Sequence, residues 1–236
     1  MSRGTLYLIP TTLGETEIDL VIPNQIKNII NTIDEYIVEN EKSARRYLRK
    51  LGIKKPLDEI VLHPLNEHTP PEVFSSYLKS IEEGKNIGII SEAGCPAIAD
   101  PGAEIVKLAH QKNIKVAPLV GPSSILLALM ASGFSGQNFA FHGYLPKERN
   151  ERIKKLKEIE KEAYQKSQTQ LFIETPFRNQ HLLEDIVAVC NSDTQLCLAC
   201  DISLGSEFIQ TKSVREWKEK LPDINKRPVV FLIYVQ

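Results

Sequence analysis

The sequence predicts an α/β protein, with a mostly parallel, doubly wound sheet in its first half and a mixed sheet in its second. Three observations predict it. Short apolar, β-rich runs alternate with stretches whose apolar residues recur at helical spacing. One such run, Ile87 to Ile90, passes directly into a loop of small residues and two prolines, Ser91-Glu-Ala-Gly-Cys-Pro-Ala-Ile-Ala-Asp-Pro-Gly102, and then into a helical pattern at 103–111. The alternation becomes less regular towards the end of the chain, as a mixed sheet requires.

The elements follow in order. Residues 5–9 alternate as a strand and stop at the turn-rich Pro10-Thr-Thr-Leu-Gly14. Ile26, Ile29, Ile30 and Ile33 form a helical stripe, and 36–38 a short strand. A strongly basic helix is expected over 42–51, with Gly52 as its C-cap. Residues 60–63 read as a strand. Val73, Phe74, Tyr77, Leu78 and Ile81 read as one helix face ending at Gly84. After the 87–90 strand and its helix comes a strand at 114–120, then a turn in which Pro122 suits the first helical position. The remainder predicts strands at 139–142, 170–174, 195–201, 208–212 and 228–235, with helices at 147–165, 179–189 and near 214–221. The 236 residues suit one large domain or two; with a boundary placed near 119–121, the domains expected are 1–119 and 120–236.

Composition narrows the function. With 42% hydrophobic and 25% charged residues, the chain has the make-up of a soluble globular protein. Its net charge of −1 excludes a surface that seeks polyanions everywhere, though local patches stay open. No apolar run approaches the ~20 residues of a membrane span, and the start has too short an apolar core for a secretory signal, so a cytoplasmic protein is expected. Four cysteines are too few for a disulfide scaffold. Cys197 and Cys200 have C-x-x-C spacing on an apolar strand, where they point to opposite faces, which favours packing over metal or redox chemistry. The five histidines show no metal-binding spacing, and no metal is expected. The loop after Ile90 lacks both the dinucleotide and the nucleoside-triphosphate glycine patterns.

Five stretches together resemble one family. The loop from Ser91 to Gly102 is similar to the S-D-A-G-T-P-x-I-S-D-P-G loop of the bacterial small-subunit (16S) rRNA cytidine 2′-O-ribose methyltransferases, within the tetrapyrrole methylase superfamily. Gly4-Thr-Leu-Tyr-Leu-Ile-Pro-Thr11, Gly121-Pro-Ser-Ser124, Phe141-His-Gly-Tyr-Leu-Pro146 and Phe172-Ile-Glu-Thr-Pro-Phe-Arg178 resemble further family segments in the same order. The resemblance implies two α/β domains, a homodimer, and S-adenosyl-L-methionine bound in a cleft between the domains. It implies cofactor contacts at Pro10, Gly94, Cys95, Pro96, Ile98, Ser124, Ile125, Leu171, Phe172 and Ala199. Ser124 also has a reading as a helix-start acceptor, Asp100 as a cap of the following helix, and Leu171 and Phe172 as core.

The acceptor side departs from the pattern. The family's E-D-T-R motif stands here as Glu39-Asn-Glu-Lys42, its P-T-P-I-G-N-L loop carries Glu15 in place of an amide, and its A-R-E segment is Ala199-Cys-Asp201. Glu39, Lys42 and His63 are the candidate catalytic groups, because a ribose hydroxyl needs a base or a positioned charge to lose its proton. Glu15, Arg45 and Arg49 are the candidate substrate-binding residues. The arginines belong to a basic set, Lys42, Arg45, Arg46, Arg49 and Lys50, on one short helix, as an RNA-binding surface would have. Three functions stay open: rRNA ribose methylation, methylation of another RNA or a small molecule with the same cofactor, and a non-catalytic dimer that binds the cofactor.

Overall fold

A computed structural model describes residues 3–235. The chain divides after Ser123 into two units. The first holds β1 (Thr5–Ile9), α1 (Ile18–Val21), α2 (Gln25–Ile30), β2 (Glu35–Val38), α3 (Glu41–Leu51), β3 (Val61–Pro64), a 3₁₀ turn at Pro71–Val73, α4 (Phe74–Tyr77), α5 (Lys79–Glu82), β4 (Ile87–Ile90), α6 (Gly102–Gln111) and β5 (Lys115–Pro118). Its five strands lie in the order β3-β2-β4-β1-β5, and all neighbours are parallel.

Side-chain alternation splits this sheet into two cores. Ile9, Tyr36, Val38 and Ile90 face the helices that follow β1 and β2, meeting Ile26, Ile30, Ala44, Leu48 and Leu51. Leu6, Ile37, Ile87 and Ile89 face the opposite layer with Leu78, Ile81, Ile105 and Ala109. Strands buried on both faces read as continuous apolar runs, which is why 87–90 was legible. The basic helix α3 starts where Asn40 Oδ1 accepts from the amides of Lys42 (2.9 Å) and Ser43 (3.2 Å), and it ends at Gly52 with φ +82°.

Three local expectations are corrected. The apolar face from Val73 to Ile81 is not one helix but the 3₁₀ turn, α4 and α5, interrupted at Leu78. Ser76 Oγ donates to the Val73 carbonyl at 2.6 Å, an interaction that competes with helix continuation. The stripe at Ile26 ends with α2 at Ile30, where Asn31 Nδ2 takes the Lys27 carbonyl at 2.6 Å; Ile33 is buried from outside the helix. Pro122 lies outside the next helix, which begins at Ser124.

The second unit holds α7 (Ser124–Ser132), β6 (Phe139–Tyr144), α8 (Arg149–Lys166), β7 (Thr169–Ile173), α9 (Asn179–Val189), β8 (Gln195–Cys200), β9 (Phe208–Ser213), α10 (Val214–Glu219) and β10 (Val229–Tyr234). The sheet order is β6-β7-β10-β8-β9; β6 and β7 are parallel and the other pairs antiparallel, a mixed sheet. Phe172, Phe231, Leu156, Ile159, Leu183 and Trp217 belong to its core. Asp185 fixes α9 to α8 through Arg152 Nη2 (2.7 Å) and Arg149 Nε (2.9 Å). Cys197 and Cys200 are buried free thiols on β8, each pushed up to about 11 by burial, so neither is a reactive thiolate at neutral pH. Among the described residues no group of His, Cys, Asp or Glu could hold a metal ion, and no helix is long and apolar enough to cross a membrane.

Candidate functional site

The first sheet has one place where its connections diverge. The segment after β1 leads to helices on one face, while the segment after β4 leads to α6 on the other. Adjacent strands whose connections leave to opposite faces open a crevice at their carboxyl ends, where ligands bind in open α/β sheets. Here the crevice lies between β1 and β4.

Three segments of the first unit converge there. The Thr11 amide donates to the Gly94 carbonyl at 2.9 Å, and Leu119 N donates to Leu8 O at 3.0 Å. Cys95 Sγ lies 3.4 Å from the Pro122 carbonyl. Gly121 lets the 119–122 segment touch the first loop, since a Cβ there would lie 2.2 Å from Pro10 Cβ. We expect Gly121→Ala to lower unfolding free energy by about 1–3 kcal/mol through overpacking, read as a lower urea midpoint; an unchanged midpoint would mean that the loops separate freely.

The loop from Ser91 to Pro101 is wound tightly. Gly94, Ala97 and Ala99 have φ of +71°, +67° and +59°. Asp100 holds this shape by accepting from Ala97 N (2.9 Å) and from Gly102 N (2.7 Å), the first amide of α6. Burial pushes the Asp100 carboxyl above its ordinary range, and the two amides pull it back.

Three carboxyl groups gather beside this loop. Glu39 Oε1 accepts from the Glu92 amide at 3.1 Å. Burial pushes the Glu39 carboxyl upward, the Glu92 amide opposes this, and the charges of Asp100 and Glu92 add to the rise. A carboxyl raised above the ordinary 4.5 in the fold makes stability fall as pH rises from there through the folded value. Glu39→Gln keeps an acceptor for the Glu92 amide and removes the charge, so its melting temperature should exceed that of the wild type at neutral pH. The difference should close below the ordinary carboxylate range; a variant less stable at every pH would refute this.

Helix α3 buries Ala44, Tyr47, Leu48 and Leu51 and exposes Lys42, Arg46, Arg49 and Lys50. Tyr47 OH donates to the Pro10 carbonyl at 2.6 Å, which ties this helix to the first loop. An open groove of about 790 Å³ runs along it, lined by Lys42, Arg45, Arg46, Arg49 and Glu92 among others. A smaller cavity of about 190 Å³ lies between the first loop, α3 and Ser91–Ala93. Ser43, Arg46 and Glu92 line both.

No protein-family model matches the sequence. It is 31% identical over 235 residues to the ribosomal RNA small subunit methyltransferase I of Escherichia coli O157:H7, covering 98% of this chain and 78% of that one. It is 30% identical over 223 residues to the protein of the same name from Thermotoga maritima, covering 93% of this chain and 94% of that one. The chain belongs to the ribosomal RNA small subunit methyltransferase I family. It is a methyltransferase, and its fold is that of the tetrapyrrole methyltransferases. Superposition on the methyltransferase CobJ gives a TM-score of 0.64 at 14% identity, covering 99% of this chain and 100% of that one. The cobalt precorrin-4 methyltransferase CbiF gives 0.61 at 15%, covering 98% and 94%. The motif resemblance read from the sequence is thus matched by relatives along nearly the whole chain.

Within this family member, the sequence-derived candidates fall into groups. Pro10, Gly94, Cys95 and Pro96 lie in or against the wound loop, with Cys95 half-buried, and Ile98 is exposed at its outer turn. In the second unit, Ser124 and Ile125 open α7, and Leu171 and Ala199 are buried on β7 and β8, the strands on either side of β10. The Phe172 ring stacks on Phe231 with centroids 5.8 Å apart inside the core. Glu39 and Lys42 flank the start of α3 beside the groove. His63 is not joined to them: its Nε2 lies 3.3 Å from Glu35 Oε2 and its ring stacks on Tyr77. Glu35 also takes Ser80 Oγ, which ties His63 to the α5 side of the sheet. Arg45 is half-buried, bonded to the Leu57 carbonyl and 3.7 Å from Glu41, whereas Arg49 is exposed. Glu15 is exposed and 3.6 Å from Lys50. Thr11, Ser43 and Glu92, which no sequence motif singled out, line the smaller cavity together; a lone acid in a loop of small residues was the available signal for Glu92.

Proposed function

We propose that this methyltransferase transfers the methyl group of S-adenosylmethionine to a ribose 2′-hydroxyl of small-subunit ribosomal RNA. The observation that carries the reading is the wound loop at the β1/β4 crevice of a chain belonging to the family. The loop suits the cofactor in its small residues: at φ +71° a Cβ at Gly94 would lie 3.1 Å from Leu13 Cδ2 and 3.3 Å from the Pro122 carbonyl, so only glycine lets the loop keep its wound shape. Pro10, Gly94, Cys95, Pro96 and Ile98 would hold it from this unit. When bound, S-adenosylmethionine supplies an electrophilic methyl carbon on a sulfonium. The protein's part is to align the acceptor in line with that carbon and to remove its proton. Lys42, Arg46 and Arg49 supply exposed positive charge beside the crevice for the RNA backbone. A homodimer and a cytoplasmic location belong to the same reading.

Calorimetry with S-adenosylmethionine and its demethylated product tests the donor, and binding of both is expected; binding of neither removes the reading. A ribose-methylation map of RNA from cells lacking the gene tests the acceptor. Loss at a small-subunit site is expected, and an unchanged map moves the acceptor to another RNA or a small molecule.

A further inference from the structure

We infer that the small cavity beside the first loop is the seat of the acceptor ribose, with Thr11 and Glu92 touching it and Glu92 taking the proton of the reacting hydroxyl. This rests on the proposed RNA methylation and names the residues that perform its proton transfer.

Thr11 is the first observation. It is 4% exposed, lines the 190 Å³ cavity, and its Oγ1 has no hydrogen-bond partner among the described residues. A buried hydroxyl without a partner costs free energy unless a ligand or water completes it. The cavity is smaller than the ~300–1,000 Å³ of a pocket for a drug-sized ligand, so it suits a single sugar ring.

Glu92 is the second. It lines both this cavity and the basic groove, so a backbone lying along Lys42, Arg46 and Arg49 would bring a ribose to its carboxylate. Ser43 Oγ, 2.5 Å from Glu92 Oε1, orients that carboxylate from α3. The Glu39 carboxylate fixes the Glu92 backbone, which gives Glu39 a positioning role. Glu92 also stands two residues before Gly94, at the edge of the loop proposed for the methyl donor. In the step, the hydroxyl proton passes to the Glu92 carboxylate as the oxygen forms a bond to the methyl carbon. The carbon–sulfur bond breaks with its electron pair leaving on sulfur, and the carboxyl later returns the proton to water.

The test is single-turnover methylation of small ribosomal subunits by the full chain with radiolabelled S-adenosylmethionine, across pH. Glu92→Gln should lose about 10²-fold or more in rate, with the acidic limb of the pH profile removed and donor and RNA affinities within threefold of wild type. Thr11→Val should raise the RNA concentration needed for half-maximal rate, with the pH profile unchanged. A Glu92→Gln rate within threefold of wild type, or an unaltered pH profile, overturns the inference while leaving the methylation reading intact. Failure of the wild type to methylate any RNA overturns both.

Discussion

Gly94→Val is expected to abolish measurable donor binding while leaving the fold in place. At φ +71° a β-branched side chain is strained, and its first carbon already meets Leu13 and the Pro122 carbonyl at 3.1 and 3.3 Å. The loop escapes by leaving its wound shape, for which crowding and the left-handed conformation together give about 3–4 kcal/mol. When the competent loop is populated less by that amount, apparent affinity falls in proportion, by about 10²–10³-fold. Calorimetry with S-adenosylmethionine reads this directly, and circular dichroism reports whether the sheet persists. Near-wild-type affinity in a folded variant would show that the ligand does not use this loop.

Reversing two charges on α3, Arg46→Glu with Arg49→Glu, should weaken RNA binding by about 10²-fold and flatten its salt dependence. Among the described residues neither arginine has an ion pair, and both face the open groove, whereas Arg45 is held by Leu57 and Glu41. If each arginine neutralises one phosphate, the slope of log affinity against log salt should shrink by about 0.7–0.9 per residue. Fluorescence anisotropy on a small-subunit rRNA fragment over a potassium chloride series measures both quantities. Donor affinity should be unchanged, because the hydrogen bonds that shape the donor loop come from Asp100 and Thr11, and those from α3 come from Ser43 and Tyr47 rather than from either arginine. Equal RNA affinity at low salt would assign the groove another role.

The elements buried on both faces were the most legible. Residues 87–90 stand as an unbroken apolar strand, and α9 falls where its spacing placed it, at Asn179–Val189. The failures came where polar side chains compete locally for backbone groups. Ser76 and Asn31 each take a helix carbonyl, and their helices stop near them although the apolar spacing continues. The partner of His63 was illegible for another reason: a histidine next to a strand's end gives no sign of which neighbouring strand or helix holds its partner, here Glu35 of β2.

The sequence alone determined the fold class, the family and the loop that carries the methyl-donor reading, because backbone requirements for small residues and turns are written in consecutive positions. Tertiary structure decided which charged groups act together. Glu39, Ser43 and Glu92 are joined across the ends of two strands and the start of a helix, with Thr11 in the same cavity wall. Which side chains face one cavity depends on strand order and on the faces to which connections leave. Neither is encoded at any single stretch of the chain.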